Sequence, residues 1–453
     1  MNEERVLRRP VHALRAVSRR RWPVAVLAAL ATLHALPGYA QGEAQRIDEL
    51  ERRLVRSLEL IERLSARVRQ LEAGERAPGE RPAPLATAAS VPAASAAGPS
   101  AAAPIAAPAA PMSLAPDGAG LKLHGFADVG LVAASKRREV GAGVGSLDLY
   151  MTPQFGDRAK GLIELVFETH DGRLAVDLER LQLGYAFSDA LTLWAGRFHT
   201  PFGNWNTAFH HGQQIQTAAT RPRFLDFEDA GGVLPVHTIG AWGTGAAKLG
   251  AGRLRYDLYV GNAPTIELED RDVAGSGVLD PGMGSARARA ATLGANVGFA
   301  FGAGAPGLTL GALALRSKVA DNATAPNRTR LQAHGLWTTF ESDTWQLAGE
   351  LYRFRNVQLG DGAVRSSSAW YLQAARTIGD WTPYARLERG DFDQRDAYFA
   401  QQASGDSYRR GVLGMRYELT PTMAVKLEAN RTRLLDRGEG AYAELRSQIA
   451  VRF

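Results

Sequence analysis

No cysteine occurs among the 453 residues, which removes disulfides and thiol chemistry and suits a chain exported without cross-linking in transit. The apolar run from Trp22 to Leu36 is about 15 residues, too short to cross a bilayer comfortably as a helix. Excess charge is missing from the body of the chain. The formal +6 is concentrated at the start, where Arg5, Arg8, Arg9, Arg15, Arg19, Arg20 and Arg21 stand against Glu3 and Glu4, and removal of residues 1–40 leaves about +1. A chain so close to neutral has no general basic footprint, and no nucleic-acid partner is expected. No G-x-S-x-G stretch and no spacing that proposes a Ser/His/acid set is present, so the chain is read as no enzyme. His199, His210 and His211 lack spaced acidic or cysteine partners, and neither metal nor cofactor is expected.

What is present falls into four parts. Residues 1–40 order an Arg-rich start, the apolar run and Pro37-Gly38-Tyr39-Ala40, with small residues at Gly38 and Ala40 as signal-peptidase cleavage requires; the mature chain is expected to start at Gln41. Over 41–75, Ile47, Leu50, Leu54, Ile61, Leu64, Val68 and Leu71 alternate at spacings of three and four, with Ser57 in the remaining seam position. That is an α-helical coiled coil in the periplasm, and apolar Leu58 and Leu60 beside the seam widen it towards three strands, hence a homotrimer. Residues 76–118 are dominated by Ala and Pro and cannot bury a core, which predicts a disordered linker extending at about 3 Å per residue.

From 119 to 453 the pattern changes to period two. Leu445, Ile449, Val451 and Phe453 share one face of the last segment, and Glu444, Arg446, Gln448 and Arg452 the other. A helix would scramble these faces and a strand separates them. Sixteen such runs begin near residues 121, 144, 158, 173, 190, 236, 252, 288, 307, 328, 343, 364, 380, 407, 422 and 441. Tight turns such as Ser188-Asp189, Gly379-Asp380 and Thr420-Pro421-Thr422 take every second junction, while the other junctions are expected to hold about 25 to 40 residues. One apolar face, one charged face and turn/loop alternation predict an all-β transmembrane barrel of 16 antiparallel strands over 119–453, because strands cross hydrocarbon only when the sheet closes. Tyr185, Phe187, Trp194, Trp345, Trp381, Tyr417 and Phe453 lie near run ends, where interfacial girdles sit.

The ending Gln448-Ile449-Ala450-Val451-Arg452-Phe453 resembles the terminal strand of bacterial outer-membrane proteins. Gly196-Arg197-Phe198-His199-Thr200-Pro201-Phe202-Gly203, Gly414-Met415-Arg416-Tyr417-Glu418-Leu419-Thr420-Pro421 and Lys426-Leu427-Glu428 are similar to stretches of the phosphate-selective porin O/P superfamily. The order coiled coil, linker, sixteen-stranded barrel resembles the DcaP-like trimeric porins. The resemblance implies a trimeric outer-membrane channel for small, often anionic solutes. One departure matters. The inward sets carry both signs, with Glu164, Glu168, Asp177, Glu388, Glu418, Glu428 and Glu444 beside Arg253, Arg255, Arg386, Arg416 and Arg446, and interleaved pairs leave a weaker field than a ring of one sign.

The connection 199–235 is the longest and the third of the long loops, the one that folds inward in sixteen-stranded porins. Arg221 and Arg223 followed by Asp226, Glu228 and Asp229 suit a pore constriction with a transverse field, and Trp205, Phe209, Phe224 and Phe227 suit packing on the wall. Arg197, Arg253, Arg255, Arg386, Arg416, Arg446, Glu418 and Glu428 are the expected pore lining. The function expected is passive diffusion of small hydrophilic solutes, anionic or dipolar, through a homotrimer set in outer-membrane lipid. The alternative is an envelope tether that joins the outer membrane to cell wall or an inner-membrane partner through the coiled coil.

Overall fold

Strand β15 (Met423–Leu434) shows how the chain is built. Lys426, Glu428, Asn430 and Thr432 are buried, while Leu427 between them is 52% exposed. The greasy side faces outward and the charged side inward, the inverse of a water-soluble core and the arrangement expected of a barrel in lipid.

The computed structural model describes residues 112–113, 122–135, 139–170, 173–209, 212–228, 232–282, 290–436 and 440–453. The expected signal peptide, the coiled coil and, apart from Met112 and Ser113, the linker lie outside the described residues. Sixteen long strands follow one another around a closed antiparallel barrel: β1 (Lys122–Ala134), β2 (Glu139–Met151), β3 (Ala159–His170), β4 (Arg173–Ser188), β5 (Leu191–His199), β6 (His237–Leu249), β7 (Gly252–Asn262), β8 (Ala291–Ala300), β9 (Leu308–Asp321), β10 (Arg328–Glu341), β11 (Trp345–Gln358), β12 (Val364–Arg376), β13 (Trp381–Asp391), β14 (Tyr408–Thr420), β15 and β16 (Tyr442–Arg452). Closure is made by β1 against β16, from Phe126 opposite Arg452 to Ala134 opposite Glu444. Met112–Ser113, within the expected linker, pairs with Leu123 and Lys122 of β1.

All the starts but two lie within two residues of those expected; β2 begins at Glu139 rather than 144 and β8 at Ala291 rather than 288. A bulge falls in β4, where Glu164 pairs with Arg180 and Leu165 with Leu178, leaving Glu179 as the extra residue.

The connections correct one expectation. One rim has short turns throughout, at 152–158, 189–190, 250–251, 301–307, 342–344, 377–380 and 421–422. The other rim has long connections only at 200–236, 263–290 and 392–407, while 135–138, 171–172, 322–327, 359–363 and 435–441 are short. The strands continue past the point where their outward leucines stop, with Arg355 opposite Ser366 and Arg409 opposite Arg433, and this pairing shortens the connections. The turn-side rim carries outward aromatics, with Tyr185 against Phe187 at 4.9 Å and Trp381 against Tyr417 at 4.4 Å between centroids. Trp194 is not among them. It pairs with Gly184 and lies over it on the inner side, stacked with Trp242 at 6.1 Å.

Leu413, 66% exposed, sits midway along the outward face of β14. Leu413→Arg is expected to lower the stability of the folded barrel in phospholipid vesicles by about 2–4 kcal/mol in urea titrations; an unchanged midpoint would place that face in water.

Candidate functional site

The connection 200–236 lies against the inner faces of β11–β15. Its apolar residues fix it first. Phe202, Trp205, Phe224, Leu225, Val233 and Leu234 are buried in one cluster with Tyr352, Phe354 and Tyr371. The short helix α1 (Trp205–Ala208) sets the Trp205 ring 5.6 Å edge-on from Tyr371, and Phe224 in the turn Arg223–Leu225 lies 5.3 Å from Tyr352. Gly203 enters this packing with φ +60°, and a Cβ there would come within 2.0 Å of the Glu350 carboxylate.

Folding the loop inward strands its peptide groups away from the strand ladders, and each such group must find a partner. The wall supplies them by charge. Arg386 donates to the carbonyls of Thr220 (2.8 Å) and Arg221 (3.0 Å), to Thr220 Oγ1 (2.9 Å) and to Glu388 (2.8 Å). Arg416 donates to the carbonyls of Gln214 and Gln216, and Lys426 to those of Gln213 and Ala218. In the opposite sense Glu428 accepts the backbone N–H groups of Ala219 (3.0 Å) and Thr220 (3.2 Å) and the Thr220 and Tyr384 hydroxyls. Glu388 accepts Arg223 N–H at 2.7 Å, and Glu350 accepts Trp205 N–H at 2.6 Å together with the hydroxyls of Tyr352 and Tyr371. Cations hold carbonyls and carboxylates hold amides.

The expected constriction residues are placed as follows. Arg221 is buried and turns back on its own loop, to Leu225 O (2.9 Å) and Asn206 Oδ1 (3.2 Å), with Phe227 4.1 Å beneath the guanidinium. Arg223 lies over Tyr408 at 5.6 Å and is partly exposed. Asp226 accepts Phe227 N–H, and Glu228 accepts both N–H and Nδ1 of His237 where the loop joins β6. Asp229 lies outside the described residues.

Of the expected lining, Arg386 and Glu428 are fully buried in the contacts above, and Arg416 pairs with Glu418 at 2.7 Å while holding the loop. Arg197 donates to the carbonyl of bulged Glu179. Arg253 and Arg255 share the inner face of β7 with Asp257 and are partly exposed, and Arg446 lies 3.8 Å from Glu444 on β16. Lys426, Glu350 and Tyr384 were absent from the expected set. A lone Glu350 amid the aromatics Tyr352 and Phe354 on one strand face was the available signal, since a single acid there needs an internal partner.

A second connection, 392–407, packs beside the first. Its helix α2 (Ala397–Ala400) is capped by Asp396, whose carboxylate accepts from Tyr398 N–H and Asn356; burial pushes that carboxyl above the usual aspartate range. Phe392 stacks on Phe399 at 4.5 Å, and the Tyr398 hydroxyl donates to Val233 O at 2.6 Å, joining the two connections.

Arg386→Ala strips four loop and wall partners at once and leaves Glu388 buried beside the weaker contact to Arg410, a loss of about 3–5 kcal/mol. The barrel is expected to stay folded while trypsin cuts after Arg223 much faster; an equal cleavage rate would show that apolar packing alone holds the loop.

No family model matches the chain, and no curated protein matches it in sequence. Solved structures match the barrel. The loop L8 deletion mutant of OmpT, an outer membrane protein of Vibrio cholerae, gives a TM-score of 0.51 at 10% identity over 74% of this chain and 100% of its own. OmpT expressed in the outer membrane of the same organism gives 0.50 at 11% over 76% and 100%. The outer membrane channel DcaP of Acinetobacter baumannii gives 0.50 at 13% over 76% and 100%. At these identities the likeness is one of fold, that of sixteen-stranded outer-membrane barrels.

Proposed function

We propose that the chain is a passive diffusion channel of a bacterial outer membrane, working as a homotrimer, in which the 200–236 connection narrows the lumen and small anionic or dipolar hydrophilic solutes pass. The observation that carries this reading is a loop fastened across the inner face by wall charges in addition to its apolar packing. Rigid fastening suits a size filter, because a loop held at both its carbonyls and its amides keeps its outline without a bound solute.

Much of the expected lining is engaged in fastening, so selectivity falls to the inward groups that keep exposure. These are Arg253 and Arg255 on β7, Arg446 and Glu444 on β16, Arg223 at the loop bend, and Glu168 and Asp177 on β3 and β4. Arg253 and Arg255 on β7 stand apart from Glu168 and Asp177 on β3 and β4, and such separation sets a transverse field that orders dipolar solutes. Both signs are represented, which argues for a modest charge preference and against strict phosphate specificity. Trimerisation through 41–75 belongs to the same reading, with the coiled coil in the periplasm.

Refolded mature protein in a planar bilayer under a salt gradient is expected to give current steps in threes with a slightly anion-favouring reversal potential. Replacing Arg253 and Arg255 together by Ala is expected to move that potential towards cations. Folded trimers that carry no current would overturn the channel and leave the envelope tether.

A further inference from the structure

The outward face changes character along the strands. Trp381 and Tyr417 mark the turn side, Leu372, Leu387, Leu413, Leu427 and Leu445 fill the middle, and on the loop side arginine replaces leucine. On β13–β15 the replacement is a row. Arg389 pairs directly with Arg409, and Arg409 with Arg433. All three alternate with buried neighbours, Glu388, Tyr408, Arg410, Thr432 and Leu434, and therefore point away from the lumen. Arg431 lies two residues nearer the leucines, opposite Gly411, and the missing side chain at Gly411 opens a notch of about 660 Å³ bordered by Trp370, Leu387, Arg389, Arg409, Arg431 and Arg433.

Like charges directly opposite on neighbouring strands destabilise a sheet. Arg389 is relieved by Asp391, which it grips with two bonds of 2.5 and 2.6 Å. Arg409, Arg431 and Arg433 have no carboxylate within 4.0 Å among the described residues. The pattern continues on β9–β11, where Lys318 is opposite Arg330 and Arg353 opposite His334. A second barrel offers no complementary row at this level, since the same rim is basic there too.

We propose that the notch on β13–β15 binds a phosphate-bearing lipid of the leaflet on the loop side. Guanidinium forks match phosphate oxygens two at a time, and several arginines around one phosphate relieve the repulsion that the register imposes. The occupant is an amphiphile rather than a free anion, because Leu387, Leu413 and Leu427 continue the same face immediately below the arginines and offer a track for an acyl chain. In barrels of this kind long loops lie on the outer side, which places the notch at the outer leaflet. The inference rests on the barrel lying in a bilayer and not on conduction.

The test is native mass spectrometry of the mature protein released from nanodiscs of phosphatidylcholine containing one tenth phosphatidic acid. Phosphatidic acid is expected to be retained over phosphatidylcholine by about tenfold or more. Arg409→Ala with Arg431→Ala and Arg433→Ala is expected to abolish the preference, and the corresponding Lys triple variant to keep part of it, since charge survives and the fork does not. Planar-bilayer conductance of the Ala variant reports that barrel and channel are intact, so loss of lipid and loss of the channel reading are separate results. Undiminished lipid retention in the Ala variant would overturn the proposal. Displacement of the lipid by millimolar inorganic phosphate would overturn it equally, by making the notch a free-anion site.

Discussion

Everything in this molecule depends on the rule that a peptide group inside hydrocarbon must be paired within the protein. Sixteen strands meet the rule by closing, and the last residue takes part: Phe453 N–H donates to Gly125 O, and Gly125 N–H to Phe453 O. Closure then decides where side chains go. Leucine faces lipid, and Glu, Arg, Lys and Asn face inward, where the interior has to satisfy them.

The inward loop and the mixed charges of the wall answer each other. A loop inside a barrel carries both carbonyls and amides without a ladder to join. Arg386, Arg416 and Lys426 serve the carbonyls; Glu350, Glu388 and Glu428 serve the amides. A wall of a single sign would satisfy one kind of group and leave the other orphaned. The interleaving that weakens a phosphate-selective field is the same feature that holds the loop.

Most of the barrel was legible because period-two alternation is a local property of the chain, as β15 and β16 show. It was less legible at β2, where Gly141, Gly143 and Gly145 supply no side chains to alternate. The site was legible in part. Alternation placed Arg386 and Glu428 on the inner face, and composition marked 199–235 as the segment to fold in. That the two bind each other follows from contacts across 166 and 208 positions, which no local pattern encodes. Trp194 went astray for a related reason: its place near a strand end suggested a girdle, and the bare Gly184 opposite it gave the ring room inside.

The charged partners that hold the loop's peptide groups come later in the chain than the loop itself. Trp205 waits for Glu350, Arg223 for Glu388, and Thr220 for Glu428, with only β16 still to follow. During synthesis and insertion the first five strands therefore precede these charged anchors of the segment after them, and such distant contacts are slow to form. The segment thus takes its place against the wall as one of the last acts of assembly. A chain stalled before β15 could not close on β1 and would leave the Thr220 amide without Glu428.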